Sequence, residues 1–244
     1  MKPLITAAAA LVVAAAAAVA FVLTRDADAG PDPFAGTYPL VTAAPTGSPT
    51  VTWRPTGRPA GPLPVFRGTK SKVAGRITDR VAGVSYARFG PPWHRPKLRN
   101  RGTSGAELID GNKNGGPGTY WYVAVYSGQL PARFTSGATG PDALRAATEL
   151  YGQNWAENLY SDQGKRTELA GQPLTVDGRK GWLTTFRMTH TDGTPRAQKS
   201  QTEVVVAVDT GRPVPAIVTV TVPDNKNQLL PDINTVVRSL HVIR

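Results

Sequence analysis

The chain has no cysteine among its 244 residues. That absence removes disulfide frameworks, thiolate zinc sites, thiol redox motifs and every cysteine nucleophile, sortase and L,D-transpeptidase chemistry included. It also removes lipid attachment through an acylated cysteine, while leaving the redox compartment open. Histidine is almost as scarce. His94, His190 and His241 are far apart, and none stands in an H-x-x-x-H or H-E-x-x-H pattern, so metal-ligand spacing is missing and no metal is expected. No G-x-S-x-G elbow, S-x-x-K motif, P-loop or helix-opening G-x-G-x-x-G is present, so neither a serine nucleophile nor a nucleotide cofactor is expected. Carboxylates are few, and pairs such as Glu149 with Glu157 or Asp177 with Asp192 lack a setting that marks an acid and base flanking a sugar.

What is abundant is positive charge. The chain carries 28 Lys and Arg against 17 Asp and Glu, a formal charge of +11. Most of it lies from Arg67 onward, where 24 basic residues face 14 acidic ones, an excess of 10. Such a surface favours anionic partners: phospholipid headgroups, teichoic-type polymers, nucleic acid or the acidic face of a protein.

The N-terminus holds the one long apolar run. Leu4 to Leu23 contains no charge and no proline, and twenty residues at about 1.5 Å each span roughly 30 Å of hydrocarbon. Ten of the twenty are alanine, so the leucines, valines, Ile5 and Phe21 supply most of the insertion energy. Lys2 and the amino terminus precede the run, which places the N-terminus inside and the remainder of the chain outside the cytoplasm. The alternative is a signal peptide cleaved after Ala27-Asp28-Ala29, which also exports the rest. Residues 1–29 are thus read as anchor or signal. Residues 30–66, with nine prolines and no sustained periodicity, are read as an extended linker, and residues 67–244 as one extracytoplasmic domain.

Within that domain, Val73 to Ile77 and Val84 to Phe89 read as an opening hairpin, and the aromatic and β-branched stretch Thr119 to Leu130 as a central strand. His94 to Gly118 reads as a turn-rich irregular segment. Asp142 to Tyr160 is an amphipathic helix, with Leu144, Ala147, Tyr151, Trp155 and Leu159 on its core face. Strands near Thr167 to Ala170, Arg179 to His190, Gln201 to Val208 and Pro215 to Val222 then form a meander. Leu230, Ile233, Val236, Val237 and Leu240 have helical spacing, with Pro231 and Asp232 suited to a first turn, before a short last strand at His241 to Ile243. The expected class is α+β: an antiparallel sheet with two helices packed on it, preceded by one transmembrane helix and a Pro-rich linker.

The first hairpin, GVSYARFGPPW, the later hairpin pair and the terminal helix DINTVVRSLHVI together resemble the PsbP-type fold. That fold is shared by the photosystem II extrinsic protein and by LpqN-type envelope lipoproteins of actinobacteria. The resemblance implies a non-enzymatic scaffold or ligand-binding domain and carries no site residue across.

One local feature stands above background. Trp93-His94-Arg95-Pro96-Lys97-Leu98-Arg99-Asn100-Arg101 places four cations within seven residues, directly after an aromatic. As a surface loop, Trp93, Arg95, Lys97, Arg99 and Arg101 would bind anionic lipid or wall polymer by salt-sensitive attraction. The blander reading is a solvated loop with Trp93 turned into the core. Nucleic acid is disfavoured, because export removes it and no recognised binding fold is present. The function expected is therefore that of an accessory or assembly domain binding an envelope protein or another envelope component, with no cofactor. The alternatives are a lipid or small-ligand binder and a wall-active hydrolase of unrecognised type.

Overall fold

A computed structural model describes residues 61–95, 104–110, 122–134, 142–160, 164–190 and 199–243. All of them belong to the second of two compact units, Pro39–Arg244. The expected membrane segment therefore lies outside the described residues, as do Lys97, Arg99 and Arg101. No described helix is long and apolar enough to cross a membrane.

The domain is α+β, with two antiparallel sheets. β1 (Val73–Asp79) and β2 (Val84–Phe89) form the expected hairpin, and β9 (His241–Val242) adds to β2, giving a three-stranded sheet ordered β1-β2-β9. The larger sheet holds β3 (Gly105–Asp110), β4 (Tyr122–Gln129), β5 (Gly164–Val176), β6 (Arg179–His190), β7 (Ser200–Val208) and β8 (Ala216–Pro223). Its order is β3-β4-β8-β7-β6-β5, so the last four strands are indeed a meander. Two differences from the sequence reading stand out. The hairpin belongs to a separate small sheet, and the segment read as irregular contains β3, which pairs with β4 along its whole length.

Side-chain alternation explains the layers. Val204, Val206 and Val208 of β7 and Val218, Val220 and Val222 of β8 enter one core together with Ile77, Tyr86 and Phe89 of the hairpin. α2 (Leu230–Arg238) closes that core with Ile233 and Val236, both fully buried, and Leu240 follows them in. Val205, Ala207 and Ile217 point to the opposite face, where α1 (Ala143–Tyr160) packs through Leu144, Ala147 and Tyr151. Covered on both faces, β7 and β8 read as nearly continuous apolar runs, as interior strands should. β5 is an edge strand, which is why it tolerates Pro173 opposite Trp182. Its turn to β6 uses Asp177 and Gly178, both at positive φ, as a tight two-residue hairpin requires.

The last six residues of the segment read as linker are attached to this body. Gly61 bridges to Gly171 of β5, and the Phe66 amide donates to Asn234 Oδ1 at 2.9 Å. Asn234 Nδ2 in turn donates to the Pro64 carbonyl at 2.9 Å, while Leu63 and Phe66 pack against the main core.

Candidate functional site

The expected anionic-surface residues part company at Trp93. Its indole is 5% exposed, its ring centroid lies 4.9 Å from that of Phe89, and Nε1 donates to Ser71 Oγ at 3.0 Å. Trp93 is therefore core, as the blander reading has it, while Arg95 two residues on is exposed. Between them His94 exchanges both backbone hydrogen bonds with Leu108 at 2.9 Å, which ties the start of the basic run to β3.

Close to Trp93 and Phe89 sit two buried carboxylates, Glu107 and Asp232. Glu107 of β3 is 1% exposed, and its Oε2 accepts the Phe89 amide at 2.8 Å. Burial pushes its carboxyl up to about 7, against the opposing effects of the Phe89 N–H and the Arg88 and Arg95 charges. Asp232, fully buried in the first turn of α2, accepts the Ser71 amide on Oδ1 at 2.8 Å. Burial raises it as well, with Ser71 and the Trp93 indole opposing. The arrangement clamps α2, β3 and the chain entering β1 around Trp93. Neither of these two carboxylates is open to a substrate.

A third buried acid joins the two sheets at the other end of the hairpin. Asp79 accepts from the Ala82 amide at 2.9 Å, from Ser104 Oγ at 2.7 Å and from Ser127 Oγ at 2.6 Å. The Tyr86 hydroxyl lies 3.2 Å from the same Ser127 oxygen, and burial holds that phenol well above its ordinary range. On the opposite face of the large sheet, Glu203 is also fully buried, accepting from Gln201 and, at 2.6 Å, from Thr221 Oγ1. Of the carboxylate pairs singled out in the sequence, Glu149 is engaged by Arg145 at 2.9 Å and Asp177 by His241 at 3.1 Å. The side chains of Glu157 and Asp192 lie outside the described residues.

The consequence is electrostatic. Asp79, Glu107, Glu203 and Asp232 are all buried, so four negative charges are withdrawn from the surface that composition alone would assign to it. Within residues 61–95 the effect is complete. Arg67, Lys70, Lys72, Arg76, Arg80 and Arg95 are exposed and Arg88 half-buried, whereas the sole acid of the segment is the buried Asp79.

Two turns distant in sequence, 177–180 and 209–212, extend this basic surface; their Asp-Gly and Asp-Thr-Gly signals mark turns in the sequence but not their meeting. Arg212 Nη1, in the β7–β8 loop, donates to the carbonyl oxygens of Arg80 at 2.6 Å and Val81 at 3.0 Å. The Asp209 amide donates to the Lys180 carbonyl at 2.9 Å, and Gly211 lies so close to the Arg179 guanidinium that a Cβ there would overlap it. The C-terminal strand joins them, since the Ile243 amide donates to the Gly83 carbonyl at 3.0 Å and the Val242 amide to Asp177 Oδ2 at 2.9 Å. That last bond, with His241, holds the Asp177 carboxyl below its usual range. Among the described residues, no three His, Asp or Glu side chains are placed to hold a metal ion.

No family model and no curated protein matches the chain. Among solved structures it is similar to the solution structure of cyanobacterial PsbP (CyanoP) from Synechocystis sp. PCC 6803. The TM-score is 0.46 at 12% sequence identity, covering 75% of this chain and 99% of that one. At that level no residue or activity is transferred.

Proposed function

We propose that this chain is a membrane-tethered accessory domain, held outside the cytoplasm by residues 4–23, that binds an anionic component of the cell envelope without catalysing a reaction. The observation that supports this reading is the asymmetric burial of charge. The domain sequesters Asp79, Glu107, Glu203 and Asp232 while leaving the cations of residues 61–95 at the surface. Paired surface charges largely cancel at a distance, whereas an unpaired set of one sign raises the local concentration of an oppositely charged partner. An assembly role is consistent with the same chemistry, because the buried acids Asp79, Glu107 and Asp232 hold the segments that carry these cations against the core.

The experiment is in-cell cross-linking of the full-length protein, followed by identification of what is attached. A discrete acidic protein or wall polymer should be recovered, and should be lost when Lys70, Lys72 and Arg95 are each replaced by Glu. Recovery that is unaffected by those replacements, or no recovered component at all, would sink the reading.

A further inference from the structure

We infer that the end of the domain built from the 80–83, 177–180 and 209–212 turns is a docking platform for an anionic lipid bilayer, with Val81 as the side chain that enters it. The inference rests on the proposed anionic binding and names one surface and one partner for it.

Four cations meet there. Arg80, Arg179 and Lys180 are exposed and Arg212 is half-buried, and among the described residues none of the four forms an ion pair. The two acids at the same end are otherwise committed: Asp177 to His241 and the Val242 amide, Asp209 to the Gly211 amide at 2.8 Å. Both keep their negative charge, so four cations against two carboxylates leave this end of the domain net positive.

Beside Arg80 and Arg212 stands an exposed apolar side chain. Val81 is 57% exposed at the apex of the first hairpin, although its neighbour Ala82 is fully buried. Its backbone is held in place, since Arg212 grips the carbonyls of residues 80 and 81. Val73, also half-exposed, lies at the far end of β1. A valine projected by a braced turn and flanked by Arg80 and Arg212 suits the bilayer interface, where apolar atoms sit below the headgroups and Lys and Arg meet the phosphates. A soluble polyanion would satisfy the cations and leave Val81 in water.

The absence of cysteine makes the test clean, because a single introduced thiol labels one site. Full-length Val81→Cys and Thr167→Cys proteins would carry an environment-sensitive fluorophore and be reconstituted into phosphatidylglycerol/phosphatidylcholine or pure phosphatidylcholine vesicles. Thr167 is exposed on β5, remote from its turn into β6. With phosphatidylglycerol present, the label at position 81 should shift to the blue and be quenched by lipid-borne nitroxide, while the label at 167 stays aqueous. The shift should vanish in pure phosphatidylcholine and in an Arg179→Glu/Lys180→Glu background. An aqueous label at 81 on both vesicles overturns the inference, and so does insertion that ignores lipid charge. If that label stays aqueous while cross-linking still recovers an anionic partner, only the bilayer platform falls. If it inserts while cross-linking recovers neither protein nor polymer, the assembly role falls and the anionic binding is confined to the bilayer.

Discussion

The Phe89 amide of β2 donates to Glu107 Oε2 of β3 at 2.8 Å, so a buried carboxylate stitches the small sheet to the large one. The bond is made inside the core, where the charged form of the acceptor is disfavoured and its pKa rises to about 7. A hydrogen bond that fixes the position of β3 thus carries a built-in dependence on pH.

That dependence has a definite sign. The unfolded chain releases this proton near 4.5 and the folded state near 7, so the folded state binds it more tightly. Protonated in both states at lower pH, Glu107 costs nothing; the cost grows as pH rises from about 4.5 to about 7 and is complete above it. Glu107→Gln retains an oxygen for the Phe89 amide. Urea denaturation should find it equal to the parent at about pH 4 and more stable by roughly 1–3 kcal/mol at about pH 8. A variant less stable than the parent at the higher pH would show that Arg88 and Arg95 hold the carboxylate in its charged form.

Asp79 is a buried acceptor for three donors, taking the Ala82 amide and the Ser104 and Ser127 hydroxyls. Asp79→Ala leaves all three without their acceptor in a site that is 2% exposed. The expected loss is on the order of 3 kcal/mol in chemical denaturation, with Asp79→Asn losing less because one oxygen remains. A loss below about 1 kcal/mol for the alanine variant would mean that water replaces the carboxylate.

Gly105 is required by contact rather than by backbone conformation. A Cβ at this position would overlap Ser127 Oγ and lie 3.2 Å from both Asp79 Oδ2 and the Tyr86 hydroxyl. Gly105→Ala should destabilise by roughly 1–3 kcal/mol. In a Ser127→Ala background, where the obstructing oxygen is gone, the same change should cost about 1 kcal/mol less. Strictly additive melting shifts would place the strain elsewhere.

Trp93 separates stability from binding. Trp93→Ala opens a cavity beside Phe89 and strips Ser71 of its indole donor, so thermal stability should drop by about 3–5 kcal/mol. Trp93→Phe should drop less and leave salt-sensitive anion binding unchanged, because the indole does not face solvent. Loss of binding in a folded Trp93→Phe protein would return the ring to the site.

Local pattern made much of the fold legible. The alternation in Val84 to Phe89, the aromatic run before Leu130 and the three- and four-residue spacing of Ile233, Val236 and Leu240 each follow from the geometry of one element. β3 escaped because Asp110-Gly111 and Asn114-Gly115 look like turn chemistry throughout, and because Glu107 puts a charged residue on its core face. Its burial is compensated by the Phe89 amide and the nearby Arg88 and Arg95 charges, partners that sequence spacing does not reveal.

By itself the sequence determined a basic, cysteine-free chain, the type of most of its elements and the apolar stripe of the last helix, all properties set by neighbours within a few positions. Tertiary structure alone decided which acids leave the surface and which turns share an end. Arg212 reaches Arg80 across 132 positions, and such a meeting depends on strand order and on the stacking of two sheets, which no local period encodes.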